Sequence, residues 1–326
     1  MSEMEVKADN CGKVVNEKYT ICSTIGKGAY GICYEGLDVQ SGQRVAIKVD
    51  TKGANSSSLV YETRIYKRYL SDLIQSGTKS GIPALLWAGA HPELGHIMVM
   101  DRLGADLEKL FQLCGQKFST KTLLMIAVQA IDVLAAVHSR GLIHRDIKPE
   151  NFLMGPAGGG PQARRLYIID FGLSKPYVDR RTGAHIPFRD SAGMTGTPRY
   201  CSVGAGKGHE QSRRDDLESV GYMLAYFHQG QLPWQGMKGI RRQHKNAAIC
   251  AVKDSASVQR LFDGLSPAFA DFLSAAKLLA FTEEPDYSHW TDRFRQLVDE
   301  FDYKYDWDAV CDTTATPGLS APELLA

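Results

Sequence analysis

GLIHRDIKPENFLM, residues 141–154, sets His144, Arg145, Asp146, Lys148, Glu150 and Asn151 among apolar residues that belong in a core: Leu142, Ile143, Phe152, Leu153 and Met154. A buried charge without a partner is costly, so a segment of this kind needs a reason beyond packing. The residue types supply one: apolar side chains pin a loop whose polar heads face a shared cleft. Asp146 is suited to accept or orient the proton of an attacking hydroxyl. Asn151, five residues on, offers an amide oxygen to a magnesium ion, and Lys148 offers positive charge to a transferred phosphoryl group. Twenty-four residues beyond Asp146, Asp170 ends the apolar run of IIDFG, placed to ligate Mg²⁺ bridging nucleotide phosphates.

Working outward, GKGAYG (Gly26 to Gly31) has the G-x-G-x-x-G spacing. In a dinucleotide fold that spacing opens a helix, with an acidic residue about 20 positions on; Asp50 stands near that distance. Gly31, however, leads into the alternating ICYEGLDV, so the expectation is a flap between two strands whose N–H groups close over phosphates. An ordinary glycine hairpin is the alternative. Lys48 ends the strand VAIK, and Glu62, fourteen residues later on a helix, would hold it against α and β phosphates; a surface glutamate is the alternative there.

The chain has 326 residues, 44% hydrophobic and 23% charged, enough for a large core in one to three domains. A formal charge of +1 gives no global pull toward nucleic acid or anionic membrane. Cys11, Cys22, Cys33, Cys114, Cys201, Cys250 and Cys311 contain no C-x-x-C pair, which predicts reduced thiols rather than a zinc or redox site. MSEMEVKADN lacks the basic start and apolar run of a signal peptide, and no uninterrupted apolar stretch reaches the roughly 18 residues of a membrane span. The expectation is a soluble monomer of the cytoplasm or nucleus.

Residues 19–101 read as short strands (YTICSTIG, GICYEGLDV, RVAIKVD, IPALLWAGA, HIMVMDR) with one helix, SLVYETRIYKRYLSDLI, whose Leu59, Ile65, Tyr66, Tyr69 and Leu73 share a face. After Gly104 helices dominate: TKTLLMIAVQAIDVLAAVHSR, capped by Ser119 or Thr120 with a stripe of Leu124, Val128, Ile131, Leu134, Ala135 and His138, then DDLESVGYMLAYFHQ and AFADFLSAAKLLAF. The prediction is an α+β fold of two lobes joined near Asp101–Gly104: an arm at 1–18, an N-lobe at 19–101, a hinge and C-lobe at 102–311, and a disordered tail at 312–326. GPAGGGPQ (155–162) reads as a flexible turn.

The ordered set Gly26–Gly31, Lys48, Glu62, HRDIKPEN and Asp-Phe-Gly resembles a eukaryotic protein kinase, and the match is closest to the casein kinase 1 family. IHRDIKPENFLMG, IIDFGLSKPY, GTPRY, EQSRRDDLES and LPWQGMK carry that resemblance. Cys201-Ser202-Val203-Gly204 stands where most kinases have Ala-Pro-Glu; loss of that motif is a trait of the group, although its usual Ser-Ile-Asn is not kept either. AGKGHE (205–210) departs from the family's usual sequence.

The resemblance implies a bilobal kinase using ATP and Mg²⁺ on serine or threonine of protein substrates. It places Ile25, Cys33 and Ala46 about the adenine, backbone groups of Asp101 and Leu103 at the hinge, and Met100 as gatekeeper. Asp216 would hydrogen-bond the catalytic-loop backbone, and His144, Phe171 and Tyr66 would stack in an internal column. Thr197 would lie beside the acceptor hydroxyl. An acidic or phosphorylated residue three positions before the target would be read by Arg199, the backbone of Gly236 and Lys245, with Arg242 nearby; the alternative for RRQHK (241–245) is a solvated helix face. A second anion site would use Arg145 and Lys175, its third basic member replaced by Ala192. The loop HIPFRDSAGMTGTPRY would hold its active shape without phosphorylation. Thr313, Thr314, Thr316 and Ser320 are candidate autophosphorylation sites in the tail. Two readings compete: a catalytically silent pseudokinase scaffold, which nothing in the sequence favours, and a nicotinamide-dependent oxidoreductase, which lacks the alternating βαβ units it needs.

Overall fold

The structure, a computed structural model, describes residues 10–28, 31–50, 58–75, 80–156, 159–237, 244–298 and 300–313. Arg242, Thr314, Thr316 and Ser320 lie outside the described residues. The chain divides into a small unit, Met1–Gln75 with Pro83–Leu103, and a large unit, Ser76–Ile82 with Gly104–Ala326. The small unit is rich in strand and the large one in helix, a mixed α+β fold as expected.

The small unit holds six antiparallel strands, β1 (Val14–Val15), β2 (Tyr19–Gly28), β3 (Gly31–Asp38), β4 (Arg44–Val49), β5 (Leu85–His91) and β6 (Gly95–Asp101), in the order β1-β2-β3-β4-β6-β5. Alternation along the strands sends Ile32, Tyr34, Val45, Ile47, Val49, Ile97 and Val99 into one core with Val15, Tyr19, Ile21 and Leu94. β1 falls where the sequence predicts an arm. Val15 is fully buried, a gain of roughly 1.5–3 kcal/mol, and Gly12 N–H to the Ile21 carbonyl (2.8 Å) extends the pairing beyond it.

The predicted helix of this unit is continuous but not uniform. α1 (Ser58–Ile65) passes through a π-helical turn, Tyr66–Leu70, into α2 (Ser71–Gln75). Leu59, Ile65, Tyr66, Leu70 and Leu73 are buried together with the polar Glu62 and Thr63, whereas Tyr69 is only half-buried. The wider i+3, i+4 track of buried residues thus includes a carboxylate.

In the large unit, α3 (Leu107–Leu113) and α4 (Thr120–Ser139) lead into β7 (Leu142–Ile143), β8 (Phe152–Met154), β9 (Leu166–Ile168) and β10 (Lys175–Pro176). α5 (Val203–Gly206), α6 (Arg213–Gln229), α7 (Lys245–Ser255), α8 (Val258–Leu261), α9 (Pro267–Leu278), α10 (Tyr287–Arg295) and α11 (Asp306–Thr313) complete it. Ser119 caps α4, its Oγ accepting the Thr122 N–H at 3.3 Å. α4 is buried around most of its circumference rather than along a single stripe, because α6 and α10 both pack on it. By length and composition it is apolar enough to cross a membrane, although Gln129 and Asp132 interrupt its apolar run, and 72% of its apolar window is buried inside the fold.

Two residues assigned to the tail, 312 and 313, belong to a helix. α11 continues past 311, anchored because Asp306 accepts from the backbone (2.6 Å) and hydroxyl (2.7 Å) of Ser119, and because Trp307 stacks on Tyr305 at 4.4 Å between centroids. Within GPAGGGPQ, Gly160–Gln162 forms a 3₁₀ turn. The six described cysteines are free thiols.

Candidate active site

Pairing across β3, β4 and β6 fixes which side chains of the small unit share a face. Cys33 lies opposite Lys48 and Lys48 opposite Met98; Glu35 lies opposite Ala46 and Ala46 opposite Met100. These rows occupy the face away from the core of Tyr34, Ile47 and Val99. Lys48 Nζ donates to Glu62 Oε2 at 2.6 Å. The Glu62 side chain is 3% exposed, so the surface-glutamate alternative fails. Burial pushes the Cys33 thiol up, with Lys48 opposing.

Gly28 pairs with Gly31, so β2 and β3 are joined as an antiparallel pair and not through a helix-opening dinucleotide loop; the flap and the ordinary glycine hairpin share this form. Ile25 is the extra residue of a bulge between Thr24 and Gly26. The glycines differ in why they are glycine. A Cβ on Gly31 would run into the Val49 carbonyl, whereas one on Gly26 or Gly28 would meet nothing within 4 Å.

Around the proposed hinge, Met100 is buried. The Asp101 N–H donates to the Ala84 carbonyl (3.1 Å), while its carboxylate accepts the Ala84 N–H (2.8 Å). Arg102 donates through Nη1 to the Leu103 carbonyl. Part of the backbone capacity expected to meet adenine is therefore engaged inside the small unit.

In the large unit, β7 delivers the chain to a loop built on one carboxylate. Asp146 Oδ1 accepts from Thr197 Oγ1 at 2.7 Å, and Oδ2 accepts from Lys148 Nζ at 2.6 Å. Asn151 Nδ2 donates to the Asp146 carbonyl (2.8 Å) and more weakly to Oδ2 (3.3 Å), which turns the amide oxygen away from Asp146. Burial works against the charge on Lys148, but Asp146, then Asp170 and Glu150, hold its ammonium above the ordinary lysine range.

Asp170 and Arg145 are both left-handed without being glycine, φ 67° and 69°. Such residues cost roughly 1–3 kcal/mol each and persist where their surroundings dictate them. Here the ties are visible. Ile169 N–H donates to the Asn151 carbonyl (3.0 Å), and the Ile169 carbonyl accepts from His144 Nε2 (2.9 Å), whose Nδ1 accepts the Asp146 N–H. His144 meets Phe171 edge-on at 5.0 Å, as expected of the internal column; Tyr66, the column's other member, is buried in the small unit.

Asp216 supports the loop as the resemblance implies: Oδ2 accepts the His144 N–H (2.7 Å) and Oδ1 the Arg145 N–H (2.9 Å). Reading the sequence did not reveal its third partner, His138, which donates from Nε2 at 2.9 Å and is held in turn by the Tyr287 hydroxyl at 2.8 Å. Burial alone would raise the Asp216 carboxyl, yet the bonds from His138 and the His144 backbone hold it below the usual carboxylate range. These partners lie 78 and 149 positions apart in the chain, where no local pattern links them.

Thr197 also borders a surface cavity of about 440 Å³ that gathers Arg199, Gly236 and Lys245, three of the four residues assigned to anion recognition, together with Glu150 and Trp234. Arg199 lies over the rings of Tyr200 (5.7 Å) and Tyr226 (5.6 Å). The second anion site fares differently. Lys175 is paired with the buried Glu210 at 2.7 Å, and Arg145 Nε donates to the Leu173 carbonyl at 2.7 Å. Both cations are thus drawn toward acceptors of the protein itself, which the sequence reading missed because Glu210 is 35 positions from Lys175. Glu210, from the atypical AGKGHE, also ties its N–H to the Arg189 carbonyl at 2.7 Å.

Compared with family models, residues 19–283 match that of the protein kinase domain.

Proposed function

The chain belongs to the protein kinase family, and from that premise we propose an active serine/threonine kinase of the casein kinase 1 type, preferring acidic or phosphate-primed targets. The observation that carries the reading is the Asp146 carboxylate, held between Lys148 and Thr197 beside Asn151. A carboxylate so oriented is suited to accept or align the proton of an incoming hydroxyl, and the Lys148 ammonium to meet negative charge on a phosphoryl group. Thr197 borders the place a Ser/Thr hydroxyl would take.

The donor set fits the cofactors of the family. Asn151 offers an amide oxygen and Asp170 a carboxylate, hard oxygen ligands of the type magnesium takes; bound there, the metal supplies charge neutralisation on phosphate oxygens. In the small unit, Lys48 set by Glu62, the open backbone at Gly26 and Gly28, and the Cys33, Ala46 and Met100 face suit a nucleotide's phosphates and base, with Ile25, Gly31, Asp101 and Leu103 completing that set.

Preference for anionic substrates rests on Arg199, Gly236 and Lys245 lining one cavity with Thr197. Hydrogen bonds to charged groups contribute roughly 1.5–3 kcal/mol each before screening, which predicts a 10- to 100-fold preference for primed peptides at about 1.4 kcal/mol per tenfold. Incubation with labelled ATP, Mg²⁺ and casein, then with primed, acidic and neutral peptides, tests the whole reading. No incorporation means a pseudokinase; incorporation with an unchanged primed-to-unprimed ratio in the Arg199→Ala, Lys245→Ala double variant removes the pocket assignment. The unphosphorylated segment is already tied by Thr197 to Asp146 and by His185 to Ser212 (2.8 Å), so activity is expected to survive phosphatase treatment.

A further inference from the structure

Lys253 on α7 is buried in the large unit, 1% exposed, and its environment is not that of a structural ion pair. Nζ donates to the carbonyls of Pro198 (2.8 Å) and Cys201 (2.6 Å) and sits over the rings of Tyr222 (4.8 Å) and Trp234 (5.3 Å). Burial pulls this ammonium below the ordinary lysine range. A methionine of similar length would fill the same volume without the cost of desolvating a charge. What lysine adds here is its set of N–H donors, and two of them grip one short stretch of chain.

That stretch is the turn Thr197–Cys201. It closes on itself, with Tyr200 and Cys201 N–H both directed to the Thr197 carbonyl (3.0 and 2.9 Å). Trp234, beneath Lys253, donates Nε1–H to the Arg199 carbonyl at 2.8 Å. The carbonyls of 198, 199 and 201 are thus held by the Lys253–Trp234 pair. The same turn presents Thr197 to Asp146 and Arg199 to the cavity, which Trp234 also lines. Glu218 joins the network through Tyr222, whose hydroxyl donates to it at 2.8 Å, and accepts the Val203 N–H at 2.9 Å.

We infer that Lys253 is the positioning residue of the substrate-facing turn: its hydrogen bonds to the Pro198 and Cys201 carbonyls set where Arg199 meets an anionic residue of the substrate, and with it the kinase's preference for primed targets. The inference rests on the anion-reading cavity of the proposed function. Lys253 touches neither substrate nor nucleotide; it acts through Arg199.

The test compares Lys253→Met, which keeps length and removes the donors, with Arg199→Ala and with both together. The substrates are a peptide carrying phosphoserine three residues before its target serine and the same peptide unphosphorylated. Lys253→Met is expected to cut the primed-to-unprimed ratio of kcat/KM about tenfold, as loss of one charge-assisted contact would, with KM for ATP within about threefold of wild type. Adding Arg199→Ala to Lys253→Met should lower the ratio little further, the mark of two residues acting through one contact. A wild-type ratio in folded Lys253→Met, or full additivity, overturns the inference. Should that variant not fold, Trp234→Phe removes the neighbouring N–H while keeping a ring, and an unchanged ratio there is equally adverse. A wild-type enzyme blind to priming sinks the anion-pocket reading instead. Hydrogen exchange at the Tyr200 and Cys201 amides then decides on Lys253: faster exchange in Lys253→Met, or in Trp234→Phe, supports it, and unchanged exchange refutes it.

Discussion

The Asp146 loop and the glycine hairpin carry the two motifs on which the functional reading depends, and they are built in opposite ways. In the loop nearly every polar group is already engaged: Asp146 with Lys148 and Thr197, Asp216 with two backbone amides and His138, and Arg145 and Asp170 held at left-handed φ. In the hairpin, Gly26 and Gly28 lack side chains where the fold would accommodate them. The difference teaches that the Asp146 loop is fixed by contacts within the protein, whereas the glycines at 26 and 28 are not required by packing and leave open space beside the backbone.

The largest effect is expected from Asp146→Asn, which should lower kcat by about 10²–10⁴ while moving the thermal midpoint by no more than about 4 °C. An undiminished rate would mean that the engaged carboxylate is scaffolding only. Next comes Asp216→Ala. It strands the His144 and Arg145 amides and the His138 donor, for a loss of roughly 3–5 kcal/mol in urea unfolding; a loss near zero would show that the loop does not depend on this support.

A pH experiment sharpens the same contrast within α6. Burial raises the neighbouring Asp215 carboxyl to about 6, against the bonds it accepts from Ser202 and the Ser212 N–H. A carboxyl raised on folding favours the folded state below its unfolded pKa near 3.8, and that contribution disappears as pH rises through about 6. Between pH 4.5 and 7.5, Asp215→Asn should therefore gain stability relative to wild type by on the order of 1–3 kcal/mol. A difference that is flat across this range would contradict the assigned burial. Asp216 acts in the opposite sense, its stabilisation being lost only as pH falls below the usual carboxylate range.

Smallest is the hairpin pair. Gly31→Ala, forced against the Val49 carbonyl, should destabilise by about 1–3 kcal/mol, and Gly28→Ala by less than about 0.5 kcal/mol. Gly28→Ala should instead weaken ATP binding by isothermal titration calorimetry; equal stability losses would erase the distinction between the two glycines.

How much of this could be read beforehand depends on the range over which each residue finds its partner. The strands, the hairpin and the HRDIKPEN loop were legible because alternation, glycine spacing and a five-residue Asp–Asn separation are local. Glu62 was half legible, since helical spacing alone could not tell a buried carboxylate from an exposed one. Lys253 was invisible: its partners are carbonyls more than fifty positions earlier, and nothing in CAVKDS separates a buried lysine from a solvated one. The Lys175–Glu210 pair and Val15 escaped for the same reason, each acquiring its role only through distant chain.

The burial of α4 on nearly all sides bears on how the protein is made. Helices α6 and α10, which cover it, lie later in the chain, and α10 ends 156 residues after Ser139. At translation rates of about 5–20 residues per second, roughly 8–30 s pass between the synthesis of the last residue of α4 and that of its final covering helix. α6 is complete 66 residues before α10, so the two faces of this apolar rod gain their cover in sequence, the α10 face last.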